Sequence, residues 1–381
     1  MRRRSKRPFI ALRILHTESS LGWGGPELRI LTEAAGLRRR GHDVLIASPR
    51  QAPIFVEAER FGIPVLALPI RRPGALGLLA LRRTLESERV DIVHSHGTAD
   101  SWLAALACRA VWLGKRRPPA LVHTRHRMSP LPRGAATGWL YARAMAEIVT
   151  TGEVIRQQLI RATGVSPARV ASIPTGIDLK RFAPGDQLVA RRALQLPDGV
   201  PLIGIVAPLH RAKGHRYLVE AMTLLTRRET RLLIVGDGPE RASIAAQVRA
   251  LGLGDRVRLA GAQQDVAPWL RALDIFALPS YADEGVPQAL LQAMAVGIPC
   301  VTTDAGAIGE IAIDDTTALV VAKQNAVALA AGIGRLLDAA ALRARLSWAA
   351  RERAQSKFGI EAMLDAMEAV LRRAADGNRY R

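Results

Sequence analysis

Short apolar runs alternate with longer amphipathic segments along the whole chain. In the first half the runs are Ile10–Leu15, Val44–Ala47, Val65–Leu68, Asp91–His94, Ala120–His123, Ile148–Thr150 and Val170–Ile173. In the second half they are Leu202–Val206, Leu232–Val235, Val257–Leu259, Ile275–Leu278, Cys300–Thr302 and Ala318–Val321. Their Val/Ile/Leu character is nearly continuous, as in parallel strands covered on both faces, whereas a half-exposed strand alternates apolar and polar positions. Helices between such strands predict doubly wound sheets, and two successive sets predict two α/β domains. The stretch Phe182 to Pro201 carries Ala183-Pro184-Gly185-Asp186 and Leu196-Pro197-Asp198-Gly199-Val200-Pro201, punctuation that suits a boundary. The expected division is therefore 1–185, 186–358 and a closing segment 359–381. That last segment holds a helix over roughly Ile360 to Ala375, with Met363, Met367, Val370 and Leu371 on one side.

Composition narrows the class. A chain of 381 residues with 49% hydrophobic content is long enough for two cores of ordinary size. Cys108 and Cys300 fall in separate halves, so no disulfide framework is implied. The start Met1-Arg2-Arg3-Arg4-Ser5-Lys6-Arg7 is like a signal n-region, but Arg13 interrupts the apolar run behind it. No run approaches the ~20 apolar residues of a membrane span, so a cytoplasmic protein, soluble or peripheral, is expected. Charge is uneven: residues 1–190 hold 30 Lys+Arg against 14 Asp+Glu, a net of +16 out of +20. Clusters at Arg2–Arg7, Arg38–Arg40, Arg71-Arg72, Arg82-Arg83 and Lys115–Arg117 suit an anionic membrane surface, with Trp102 and Trp112 as interfacial anchors. Nucleic acid is not expected as a partner, because aromatics are only 4% and no recognition motif is present.

The candidate chemistry lies at strand ends. After Ile275–Leu278 comes an acidic loop with Glu284, then Gly285-Val286-Pro287 and a helix containing Gln292. Outward-pointing N–H groups and the dipole at such a helix start suit a phosphate, while Glu284 and Gln292 can hydrogen-bond sugar hydroxyls. After Leu202–Val206 come His210, Arg211 and Lys213-Gly214, cations placed to neutralise a diphosphate. Gly236-Asp237-Gly238-Pro239 forms a tight turn after the next strand. In the first half, Gly24-Gly25-Pro26-Glu27 makes a strand-to-helix turn that lacks the full dinucleotide fingerprint, which argues against an NAD enzyme. His126, beside Arg125 and Arg127, ends the fifth strand, and His94 and His96 end the fourth. No His grouping has metal-ligand spacing along the chain, and no metal site is expected.

Taken in order over residues 10–375, these motifs resemble family-4 retaining glycosyltransferases of the GT-B fold. The resemblance implies that Glu284 contacts the transferred sugar and that Gln292 replaces the second acid, which holds the ribose. It implies that Lys213 is the phosphate lysine; the usual Arg five residues earlier is Pro208 here, leaving Arg211 or His210 as its substitute. Gly236, Asp237 and Gly238 would line the nucleotide, Gly285, Val286 and Pro287 the phosphates, and Glu310 matches the acid after the Gly-rich turn Asp304–Gly309. Gly24, Gly25 and Glu27 match the loop facing acceptor and donor phosphate, His126 the acceptor-domain histidine, and Ile173-Pro174-Thr175-Gly176-Ile177-Asp178 an interdomain turn. The final helix would cross back onto the first domain. The implied reaction moves a sugar from an NDP-sugar, most often UDP-linked, to a glycan or glycolipid in cell-envelope or lipopolysaccharide synthesis, with no cofactor. A sugar-nucleotide-binding relative without turnover is the alternative.

Overall fold

The computed structural model describes residues 10–115, 117–126, 131–132, 134–282 and 284–379. Arg2–Arg7, Arg116, Arg127 and Asp283 lie outside the described residues. Seven parallel strands make the first sheet: β1 (Arg13–Thr17), β2 (Asp43–Ser48), β3 (Val65–Ala67), β4 (Ile92–Ser95), β5 (Ala120–Arg125), β6 (Glu147–Thr150) and β7 (Val170–Ser172). Six make the second: β8 (Leu202–Val206), β9 (Arg231–Val235), β10 (Val257–Gly261), β11 (Ile275–Leu278), β12 (Cys300–Thr302) and β13 (Leu319–Val320). Every predicted run is a strand. The first begins at Arg13 and runs on to Thr17, and the fifth runs on to Arg125, because His16, Thr17 and Thr124 are buried polar residues that apolar counting passes over.

The strand orders are β3-β2-β1-β4-β5-β6-β7 and β10-β9-β8-β11-β12-β13. Each order reverses once, between β1 and β4 and between β8 and β11. Ligands of such sheets bind beyond the carboxyl ends of the strands at that reversal. Those ends carry Glu18 and His96 in one domain, and Lys213 and Glu284 in the other.

The core changes domain earlier than the punctuated stretch. Ile173 packs in the first core, whereas Ile177 and Phe182 already pack in the second. The chain returns at Phe358–Ile360, and the two crossings pair: Ile177 N–H donates to Phe358 O (2.7 Å) and Ile360 N–H to Ile177 O (3.0 Å). The final helix, Ile360–Arg379, then buries Met363, Leu364, Met367, Val370 and Leu371 in the first core. It lies against the helix Gly25–Arg39, where Leu364 occupies the space a Cβ on Gly36 would need. Arg40 adds ion pairs to Glu361 (2.6 Å) and Asp365 (2.7 Å). A paired crossing backed by one helix joins the two domains.

Candidate active site

The floor of the cleft in the second domain is a short turn, Arg211–Lys213, closed by Gly214. Gly214 has φ 72°, and a Cβ there would overlap Pro279 O at the end of β11. Only glycine lets the turn sit against that strand end, and this contact brings Lys213 Nζ to 2.6 Å from Glu284 Oε1. The Glu284 backbone is fixed from the other side: its carbonyl accepts from Ala307 N–H (3.1 Å) and abuts Gly306, which has φ 57°. Pro287 is the N-cap of the helix Gln288–Val296 rather than a residue of its first turn, so the unpaired amides begin one residue later than expected. Gln292 is buried in that helix, as is Val286 before it. Arg211 is exposed and makes no ion pair among the described residues, which leaves its guanidinium available to an anion. His215 follows Lys213, and its ring nitrogens are buried without a hydrogen-bond partner among the described residues. Burial, then Lys213 and His210, hold His215 down at about 3, so it stays neutral beside the lysine. Gly236 and Gly238 pack onto Ala207 and Leu209 beyond β8, and Asp237 Oδ1 accepts from Gly238 N–H (2.8 Å).

The first domain faces this floor closely. A Cβ on Gly285 would lie 2.8 Å from His126 O and 3.0 Å from Thr151 Oγ1, and one on Gly25 would lie 3.7 Å from Gln288 Oε1. The loop Gly24–Gly25 therefore stands over the start of the helix that carries Gln292. Glu27 is buried beneath that loop, 3% exposed, and is placed to support it. Glu310, matched above to the donor side, reaches across the cleft. Its Oε2 and Oε1 accept from Glu153 N–H (2.8 Å) and Val154 N–H (2.9 Å), capping the helix Glu153–Thr163 of the opposite domain. A carboxylate at a helix N-terminus satisfies unpaired amides and the dipole together, so Glu310 clasps the two domains.

Behind His126 the structure gathers residues that chain spacing did not connect. His126 Nε2 lies 3.1 Å from His96 Nδ1, and His96 Nε2 lies 2.9 Å from His16 Nδ1. His94 Nδ1 lies 3.2 Å from Glu33 Oε1, and His94 Nε2 lies 2.7 Å from Thr124 Oγ1. Arg29, fully buried, stands 3.7 Å from Glu33 and donates to Ile173 O (2.7 Å) at the domain crossing. Burial and His94 keep His16 neutral, at about 3, and burial followed by His94 pushes His96 well below its ordinary value. Burial pushes Glu33 up, but His94, Arg29 and His16 outweigh it and hold the carboxyl at about 2, ionised. His16, His94 and His96 present ligand atoms within 4.8 Å of one another. Arg29 already balances Glu33, so a divalent cation there would bring uncompensated charge into a buried site, which is costly. His16 was out of reach of spacing because it comes from β1, which only strand pairing sets beside β4. Nearby, burial and then Asp100 push the Glu18 carboxyl up to about 8.

Two family models match: Glycosyltransferase Family 4 over residues 23–181 and Glycosyl transferases group 1 over residues 200–339. The chain is 30% identical to a D-inositol 3-phosphate glycosyltransferase of Xylanimonas cellulosilytica, covering 92% of this chain and 93% of the relative. Among solved structures it is similar to a glycosyltransferase from Rickettsia africae, with TM-score 0.85, 20% identity, and 96% and 99% of the two chains covered. It is likewise similar to Anabaena HepE in complex with UDP-glucose, with TM-score 0.82, 20% identity, and 94% and 99% covered. Two parallel sheets meeting at a cleft, joined by a returning C-terminal helix and matched along nearly their whole length by these relatives, make the chain a group 1 glycosyltransferase of the GT-B fold.

Proposed function

We propose that this glycosyltransferase moves a sugar, with retention, from an NDP-sugar to a hydroxyl of a glycan or glycolipid acceptor of the cell envelope. The observation that carries the reading is the Lys213–Glu284 pair at 2.6 Å, beside the unpaired amides that begin the helix Gln288–Val296. A cation and helix amides suit a diphosphate, and a carboxylate suits sugar hydroxyls. Donor binding separates the pair: Lys213 and Arg211 turn to the phosphates, Glu284 accepts from the sugar, and Gln292 meets the ribose. The acceptor oxygen bonds to the anomeric carbon as the anomeric C–O bond to phosphate breaks, and its proton passes to the departing phosphate oxygen. Closure brings Gly24–Gly25 and His126 over the sugar and excludes water. The reading involves no resident metal or cofactor. UDP is the favoured base, supported by the UDP-glucose named for the similar Anabaena structure. Turnover tests the whole: NDP release from UDP-, GDP- and ADP-sugars in the presence of glycolipid, oligosaccharide or inositol phosphate acceptors, with the product anomer read by NMR. An inverted anomer would refute retention, and absence of turnover with every pair would favour a binding-only relative.

One further surface supports an acceptor at a membrane. No helix among the described residues is long and apolar enough to cross a bilayer. The helices Ala75–Ser87 and Thr98–Leu113 pack together and expose Leu76 (78%), Leu113 (66%) and Trp112 (51%), with Arg109 over the Trp112 ring. Trp102 is not an anchor: it stacks on Trp139 at 6.0 Å and packs against the core. Exposed apolar side chains on helices whose sequence carries Arg82 and is flanked by Arg71, Arg72 and Lys115 suit an anionic leaflet. Flotation with anionic vesicles should be lost in Trp112→Ser/Leu113→Ser and at high salt; equal flotation of the variant would remove this surface from the account.

A further inference from the structure

The loop that follows β1 is built inside out. Acids normally stay in water while large apolar side chains are covered. Here Glu18 and Glu27 are each 3% exposed and Asp100 is fully buried, whereas Trp23 is 46% exposed and Leu21 39%. Trp23 has no ring or hydrogen-bond partner among the described residues. The buried acids fasten the loop from below. Ser20 N–H donates to Glu18 Oε1 (2.7 Å), Gly22 N–H to Ser20 Oγ (2.8 Å) and Ser19 Oγ to Asp100 Oδ1 (2.8 Å). Glu27 lies under the same turn: its Oε1 is 3.9 Å from where a Cβ on Gly22 would stand, and its Oε2 3.8 Å from one on Gly24. Glu18 and Asp100 meet at Gly97, where a Cβ would overlap Asp100 Oδ1 and lie 3.4 Å from Glu18 Oε1. Enclosing these carboxyl groups is costly, and it covers neither Leu21 nor Trp23. Its product is a turn of fixed shape that carries an indole in solvent.

That indole stands where an acceptor enters. The loop leaves the carboxyl end of β1, at the reversal of strand order where ligands of such sheets bind. Two residues past Trp23, a Cβ on Gly25 would lie 3.7 Å from Gln288 Oε1 of the second domain, so Trp23 is at the rim of the cleft. We propose that Trp23, flanked by Leu21, is the platform for the acceptor's sugar ring and so determines acceptor specificity. A pyranose carries hydroxyls around its edge and C–H bonds on its face. A flat aromatic side chain covers that face at low entropic cost, and a turn already fixed adds little to it. The hydroxyl edge stays free, one hydroxyl to attack and the others to meet the polar turn. A bilayer is the other surface an exposed indole suits. However, Trp112 and Leu113 end the helix that Asp100 helps to begin, about 20 Å along it from this loop. That the ring belongs to the acceptor rests on the glycosyltransfer proposed above; that Trp23 takes a sugar ring does not.

The first test therefore reads Trp23 without turnover. The chain has 6 tryptophans, so fluorotryptophan labelling gives a 19F spectrum simple enough to assign Trp23 by its loss in Trp23→Phe. Methyl hexosides and their disaccharides should shift the Trp23 signal saturably, and phosphatidylglycerol vesicles should leave it in place. No shift with any of these glycosides, or a shift with the vesicles instead, would overturn the proposal whether or not turnover has been found. In transfer assays, Trp23→Ala should raise the acceptor KM about tenfold or more with the donor KM within about twofold. Trp23→Phe, which keeps a ring face, should recover most of the loss, and Leu21→Ala should fall between. Turnover with an unchanged acceptor KM in Trp23→Ala, or an equal rise in Trp23→Phe, would contradict stacking while leaving the transferase reading intact.

Discussion

Replacing Glu310 by alanine should open the enzyme. The Glu310 carboxylate is held by two amides of the opposite domain at 2.8 and 2.9 Å. Such bonds contribute about 1.5–3 kcal/mol each when buried, and this pair is only partly buried, so water recovers some of the loss in the vacated state. A net cost of about 2 kcal/mol is reasonable, close to the loss of a good N-cap with its dipole. At ~1.4 kcal/mol per tenfold, Glu310→Ala should shift the closed-to-open ratio by about 30-fold. Fluorescence energy transfer between one label on each domain reads the ratio, and the donor KM should rise as the binding-competent fraction falls. Glu310→Gln, which retains one acceptor oxygen, should fall between. Unchanged transfer efficiency together with an unchanged donor KM would refute the clasp and return Glu310 to an ordinary surface role.

Other outcomes follow from burial and packing. Glu18 has its folded carboxyl raised to about 8, so the stability it carries is present below about 4.5 and is lost as pH climbs through 8; Glu18→Gln should gain on the order of a few kcal/mol at pH 8, measured by calorimetry. His16, His123 and His215 are held at about 3 by burial, which acts the other way: their contribution is lost as pH falls from 6.5 toward 3, and His215→Gln should flatten that acid limb. Gly36→Val places a branched side chain where Leu364 packs, and should cost about 1–3 kcal/mol while loosening the returning helix in hydrogen exchange.

The sheets were legible because parallel strands buried on both faces leave continuous apolar runs, and these mark strands whatever follows them. The residues of the proposed phosphate floor could be picked out for a similar reason: Lys213-Gly214, Glu284 and Pro287 are short-range motifs at strand ends. What stayed hidden depends on strand order. His16 and Glu33 lie far along the chain from His96 and His126, and only the β1–β4 reversal sets them together. Glu310 lies in a motif associated with the donor side, yet its reach across the cleft depends on how the domains meet. Where the core changes domain was not legible for a local reason: the Pro/Gly punctuation of 183–201 lies after Ile177 and Phe182, which already pack in the second core.

The central claim is a nucleotide-sugar clamp built on Lys213 and Glu284. Ligand-detected NMR with a panel of UDP-, GDP- and ADP-sugars tests it most directly, repeated with Lys213→Ala and Glu284→Ala. The account predicts saturable binding of one donor that is lost in both variants. No binding by any donor, or binding undiminished in both variants, would contradict it.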